Sequence, residues 1–204
     1  MSETLPHDYL SAETTISHRL LAPRVGFLIG SGKSLPGQTI APMSNLTQVS
    51  NDPEIFALAA GTQSQTLANI RKTGGFAVSV PTVAQQDLVW KLADKFSGYQ
   101  FAPGHTKIDE FRSDLDLESS PFGPILRESI GWCSCEVMFE VPIPEGDHGL
   151  FIAKVTEAWF NPTYMNQDGT YKFNPKPLMQ VVKNSFATST DHWEIPWIGE
   201  VRWK

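Results

Sequence analysis

Apolar residues along this chain fall in short runs punctuated by Gly, Pro, Asn and Asp, the rhythm of antiparallel strands rather than of long helices. Val25-Gly26-Phe27-Leu28-Ile29-Gly30, a turn through Ser31-Gly32-Lys33 and Pro36-Gly37, and then Thr39 to Leu46 predict a hairpin. Ile55 to Gly61 follows the turn-initiating pair Asp52-Pro53 and predicts a buried strand. From Gln65 to Thr73 the period lengthens to that of a short helix. Leu67 and Ile70 anchor it, Ser64 is its N-cap, and Gly74-Gly75 supplies a left-handed C-terminal cap. Phe76 to Val80 predicts another strand, closed by Pro81. Thr82-Val83-Ala84-Gln85 matches a capping box that opens a second helix to about Lys95, with Leu88, Val89, Leu92 and Phe96 as its apolar stripe and Gly98 as its stop. Between Tyr99 and Ile130 the pattern dissolves, predicting a functional loop or partly mobile lid that borders the site. Trp132 to Pro142 and Leu150 to Phe160 form a second hairpin across residues 144–149, and Leu178 to Val182 is the strand expected to close the sheet. A mainly β architecture with a few helices, closed as an antiparallel barrel, accounts for this order better than a parallel doubly wound sheet.

Composition narrows the class. A chain of 204 residues, 41% of them hydrophobic, can bury a full core, and residues 1–204 are expected to form one domain with an arm at 1–20 and a Trp-rich tail at 186–204. A net charge of −6 argues against nucleic acid as a partner. The start lacks a secretion signal and no apolar run approaches the roughly 20 residues of a membrane span, so a cytoplasmic protein with no membrane partner is expected. Cys133 and Cys135, two apart in a strand, point to one face with Val137, Phe139 and Val141. They are expected as unbridged core residues, since no Lys, Arg or His adjoins them to favour a thiolate. His7, His18, His105 and His192 have no ligand-like spacing, and no metal is expected. The tail tryptophans Trp193, Trp197 and Trp203 need a surface, either the barrel itself or a partner subunit.

The chain has no Walker-type phosphate loop and no glycine-rich dinucleotide fingerprint. It does have Ser64, Gln65 and Thr66 where unpaired N–H groups and the positive end of a helix dipole meet, a place suited to a monophosphate. The same residues also serve an ordinary capped helix. Ser44 has no Gly-x-Ser-x-Gly setting, and no catalytic triad is legible.

Four short motifs then occur in order: Ala41-Pro42-Met43-Ser44 leading to Ser50-Asn51-Asp52-Pro53; Ser64-Gln65-Thr66-Leu67-Ala68-Asn69-Ile70 with Thr73-Gly74-Gly75-Phe76; Asp109-Glu110-Phe111; and Gly146-Asp147-His148-Gly149-Leu150-Phe151. Over about Arg24 to Trp159 this series resembles the flavin-reductase-like family of FMN-binding split barrels, the group that includes flavoredoxin-type proteins. The resemblance implies a Greek-key split β-barrel, a homodimer, and FMN near the subunit interface. It places Met43, Ser44, Asn45, Leu46 and Thr47 along the isoalloxazine, and Ser64, Thr66 and Asn69 at the phosphate or ribityl chain. His148 falls near the flavin or the incoming nicotinamide, or else is a turn histidine of the hairpin. The implied activity is hydride transfer from NADH or NADPH to FMN, with electrons passed to free flavin or a redox partner protein, and no side chain is nominated as a catalyst. The alternatives are an FMN electron carrier without NAD(P)H oxidation, and a binding module that has lost flavin. One departure stands out: relatives carry Lys and Asp where this chain has Ser64 and Gln65, so one phosphate-neutralising cation is missing; either Arg71, Lys72, Lys33 or Lys95 substitutes from another direction, or neutral N–H and O–H donors alone hold the phosphate.

Overall fold

The computed structural model describes residues 13–172, 176–182 and 184–189. In chain order the strands and helices are β1 (Arg24–Val25), β2 (Phe27–Ser31), β3 (Thr39–Met43), β4 (Leu46–Asn51), β5 (Glu54–Gly61), α1 (Gln65–Thr73), β6 (Gly75–Ser79), α2 (Gln86–Leu92), α3 (Asp94–Ser97), α4 (Lys107–Glu110), β7 (Leu117–Ser119), β8 (Pro124–Leu126), β9 (Gly131–Val141), β10 (His148–Phe160), β11 (Met179–Val182) and β12 (Ser185–Ala187). Short 3-10 turns cover Thr14–Leu21 and Val83–Gln85. Among the described residues no helix is long and apolar enough to cross a membrane.

Seven strands pair antiparallel in the order β3-β2-β6-β9-β10-β5-β4. The two edges of that sheet, β3 and β4, are consecutive in the chain and separated only by Ser44 and Asn45. A link this short spans less than about 10 Å, so the sheet must curl until its edges meet. This gives a barrel of the split kind: its seam is bridged by chain rather than by a hydrogen-bonded ladder between β3 and β4. The mainly β split barrel expected from the sequence is therefore the fold observed.

Two cores share strand β2. Ile29, Leu58, Leu67, Ile70, Phe76, Val78, Cys135 and Phe151 fill the barrel, with α1 plugging one end. Leu28, Ile40, Val89, Leu92, Phe111, Leu115, Leu126 and Leu178 form a second core outside it. A strand buried on both faces explains the unbroken apolar run before Gly30. It also explains why Gly30 is glycine, since a Cβ there would lie 1.8 Å from the Pro124 carbonyl oxygen.

Several expectations are corrected. The 99–130 stretch, expected as a functional loop or partly mobile lid, is tied together by internal contacts: Glu110 accepts from the Ala102 N–H at 3.1 Å and from the Tyr99 hydroxyl at 3.2 Å, and Phe111 is buried beside Tyr99 and Phe101. Leu178 to Val182 does not close the main sheet, because β11 pairs with β1 and β12 in a separate three-stranded sheet. The capping box at Thr82 forms, with Gln85 Oε1 accepting from the Thr82 N–H at 2.8 Å. The helix it opens nevertheless breaks at Ala93, whose ψ of 47° re-aims the chain, so Phe96 leaves the apolar stripe and is 82% exposed. In β9 the pairing shifts register between Val137 and Phe139, turning Phe139 out to 53% exposure instead of inward with the cysteines. Cys133 and Cys135 are unbridged, with sulfurs 3.9 Å apart, and the Cys133 sulfur together with burial pushes the Cys135 thiol up. The tryptophans Trp193, Trp197 and Trp203 and residues 1–12 of the expected arm lie outside the described residues.

Candidate functional site

The seam opens as a cleft of about 830 Å³. One wall is the end of β3 with the link, Ala41, Pro42, Met43, Ser44 and Asn45; another is the entry to α1, Gly61 to Thr66. Trp90, Lys95 and Phe96 stand on a third side, while Arg24, Gln180 and Phe186 come from the small sheet and His148 from the start of β10. Of the nine residues expected at a cofactor, Met43, Ser44, Asn45, Ser64, Thr66 and His148 line this cleft.

The other three do not. Leu46 packs on the barrel core and Thr47 is exposed on β4, since alternation along the strand turns them away once the chain has crossed the seam. Asn69 is 2% exposed beneath the floor. Its Nδ2 donates to the Gly37 carbonyl at 2.8 Å and its Oδ1 accepts from Gln65 Nε2 at 2.8 Å, so it ties α1 to the β2–β3 hairpin.

Helix α1 presents the donors. Ser64 adopts extended backbone angles, and its Oγ accepts from the Leu67 N–H at 3.1 Å; Gly74, with φ of 74°, closes the far end. That cap uses one of the N–H groups of the first turn and leaves those of Gln65 and of the buried Thr66, two residues that line the cleft, without a partner inside the helix. Anchored by Leu67 and Ile70 in the barrel core, the helix cannot swing away. Of the four cations named from the sequence Lys95 lines the cleft, and so does Arg24, which sequence reasoning missed. Arg71 instead forms a bidentate pair with Glu140, with contacts of 2.7 and 3.0 Å, and lines a smaller neighbouring cleft of about 430 Å³. Lys33 and Lys72 line neither. Lys107 reaches the main cleft already engaged by Asp94 at 2.6 Å.

His148 borders both clefts, and its Nδ1 lies 2.6 Å from Asp147 Oδ1. The imidazole holds the Asp147 carboxyl below its ordinary range, and with Nδ1 engaged there Nε2 is the nitrogen left for a ligand. The Asp147 carbonyl accepts from the Thr62 N–H at 2.8 Å, which locks this turn to the entry of α1. Asp109, by contrast, is structural: it caps α4 through Thr106, whose hydroxyl and N–H, with Arg112, hold the carboxyl down at about 2. Among the described residues no group of three or more His, Cys, Asp or Glu is placed to hold a metal.

The missed residues Arg24, Trp90, Gln180 and Phe186 lay where the sequence shows only weak signals. Gln180 is the exception, a lone amide between Met179 and Val181 in an apolar run.

Comparison with known proteins bears on this arrangement. The model of a family described as flavin reductase like domain matches residues 21–175. An NADH-dependent FMN reductase of Streptomyces nodosus subsp. asukaensis is 27% identical over 140 residues, and the match spans 63% of each chain. Among solved structures, the flavoredoxin of Methanosarcina acetivorans superposes with a TM-score of 0.75 at 14% identity, over 92% of this chain and 95% of that one. An FMN-binding protein from Thermus thermophilus, solved with bound 1-cyclohex-2-enone, gives 0.73 at 19% identity, over 94% of this chain and all of its own. At these identities the structural likeness is one of fold.

Proposed function

This chain belongs to the flavin-reductase-like family, and from that premise we propose that it is an FMN-dependent oxidoreductase that takes hydride from NADH or NADPH and passes electrons to free flavin or a redox partner protein. The observation that carries this reading is the coincidence of the barrel seam with the N-terminus of α1 in one cleft. The residues fit the group. The N–H groups of Gln65 and Thr66, backed by a helix dipole and with Lys95 lining the same cleft, suit a phosphate. Met43, Ala41, Pro42, Trp90 and Phe96 provide apolar area for a fused ring, with the Ser44 hydroxyl and Asn45 amide at its edge.

FMN bound there would supply the hydride acceptance and electron release. The protein's contribution is position. Ser64, Gln65 and Thr66 would hold the charged tail, Met43, Ser44 and Asn45 would face the ring, and His148, paired with Asp147 and lining the same cleft, would meet the flavin or the incoming nicotinamide. Lys95, which lines the same cleft, takes the role of the family's missing lysine, while Arg24 is engaged by Asn45 at the seam. The test is a visible absorption spectrum of the purified protein before and after FMN addition, followed by NADH and NADPH oxidation with FMN supplied. Flavin uptake with turnover supports the proposal. Uptake without turnover on either nucleotide leaves an electron carrier, and no uptake abolishes both.

A homodimer belongs to the same proposal. It is supported by the exposed Met138, Phe139, Trp159 and Phe160 on the β9–β10 hairpin, where Trp132 and Trp159 also stack with centroids 6.1 Å apart. Sedimentation at the mass of one chain would overturn it.

A further inference from the structure

The family match ends at residue 175, yet the cleft has a wall built from residues beyond it. In the small sheet Arg24 on β1 lies opposite Gln180 on β11, which lies opposite Phe186 on β12. Directly opposed residues share a face, and all three side chains of this row line the cleft. Each is tied to a different part of the site. Arg24 donates to Asn45 Oδ1 at 3.1 Å, Gln180 Oε1 accepts from Ser44 Oγ at 3.0 Å, and Phe186 meets Trp90 edge-on with centroids 6.0 Å apart. The two residues that carry the chain across the seam are thus held by two neighbouring side chains of a separate sheet. That sheet is anchored in turn: the Gly26 N–H donates to the Leu178 carbonyl at 2.9 Å and the Leu178 N–H to the Pro81 carbonyl at 3.1 Å.

A serine hydroxyl has one proton and two lone pairs. With its proton given to Gln180, Ser44 can only accept from whatever occupies the cleft. We propose that Gln180 is a positioning residue that orients Ser44 as a hydrogen-bond acceptor, so that the C-terminal ribbon β11–β12 selects a planar heterocycle presenting a ring N–H at the seam. This deepens the FMN reading and rests on it. An apolar residue at position 180 frees the Ser44 hydroxyl to rotate and lowers affinity through Ser44, not through the fold at large.

The test is a double-mutant cycle on FMN dissociation constants, measured by quenching of flavin fluorescence, with Gln180→Leu, Ser44→Ala and the pair. Each single change is expected to weaken FMN by roughly tenfold, the range of one hydrogen bond, and the double variant to bind no worse than Ser44→Ala alone. Gln180→Glu keeps an acceptor for the Ser44 proton beside Arg24 and is expected to stay within about threefold of the parent protein. Additive losses in the pair, or a Gln180→Glu variant as weak as Gln180→Leu, overturn the inference while leaving FMN binding intact. A parent protein that takes up no FMN overturns the inference and the proposed function together.

Discussion

Ser64 has two jobs that a pair of substitutions can separate. Its Oγ caps α1 through the Leu67 N–H at 3.1 Å, and it stands beside the free N–H groups offered to a phosphate. Ser64→Ala removes the cap and should cost about 1 kcal/mol of stability, a fall of roughly 2–4 °C in Tm for a chain of this size. Ser64→Asp keeps the cap, because aspartate ranks with serine at that position, so its Tm should stay near that of the parent. It also sets a carboxylate in the anion site. Two unit charges about 5 Å apart interact by about 3 kcal/mol at an effective dielectric of 20. The half-exposed setting of Ser64 reduces that to roughly 2 kcal/mol, or about 30-fold in affinity. Flavin fluorescence titration should therefore rank the parent tightest, Ser64→Ala a few-fold weaker and Ser64→Asp weakest, so that the two variants exchange places between affinity and stability. Raising salt to about 1 M, where the screening length is near 3 Å, should close most of the gap for Ser64→Asp. If Ser64→Asp binds FMN as tightly as the parent at low salt, the phosphate does not sit at this helix start.

Asn69→Ala strips the Gly37 carbonyl and Gln65 of their partner and should destabilise by about 1–3 kcal/mol with a smaller effect on FMN; lost FMN binding at unchanged Tm would place Asn69 in direct contact after all. Gly149→Ala brings a Cβ to 2.7 Å from Leu67 Cδ1 and 2.8 Å from Glu140 Oε1, and overpacking of this kind costs about 1–3 kcal/mol. A melt indistinguishable from the parent's would show that α1 and the Arg71–Glu140 pair yield freely. Acid should loosen the 99–111 segment: the folded state holds Asp109 at about 2 against an ordinary 3.8, so its contribution is complete above the ordinary value and is lost as pH falls from there through about 2. Asp109→Asn should flatten that dependence in acid melts, and an unaltered slope counts against the assignment.

How much of this was legible in the sequence depends on whether the signal was local. Caps and turns were, because Ser64, Gly74 and the Thr82–Gln85 box act within one helical turn. So were β5, β9 and β10, whose apolar runs are long and bounded by turn residues. What failed depended on partners far along the chain. The register shift that exposes Phe139 is set by pairing with β10, and the break at Ala93 leaves no mark in the apolar spacing of Leu88, Leu92 and Phe96. The 99–130 stretch read as a functional loop or lid because its buried residues, Phe111, Leu115 and Leu126, answer to no single period; they pack from several short elements onto the outer face of β2 and β3.

The seam shows the same division most sharply. Thr39 to Leu46 reads as one continuous strand, and residue preference alone gives no reason to stop it at Met43. Closure of the barrel supplies the reason. With β3 pairing β2 and β4 pairing β5, and neither pairing another strand among the described residues, the chain between them must leave one ladder before it joins the other, so Ser44 and Asn45 are released from β3–β4 pairing. Their backbone and side chains must then find partners elsewhere. The Asn45 carbonyl accepts from the Ala59 N–H at 2.9 Å, while the Asn45 and Ser44 side chains turn to Arg24 and Gln180. The polar edge offered to a ligand is therefore a product of topology. A regular β3–β4 ladder would pair the backbone across the seam and close the gap that the Ser44 and Asn45 side chains border, which is why the split and the cleft occur at the same two residues.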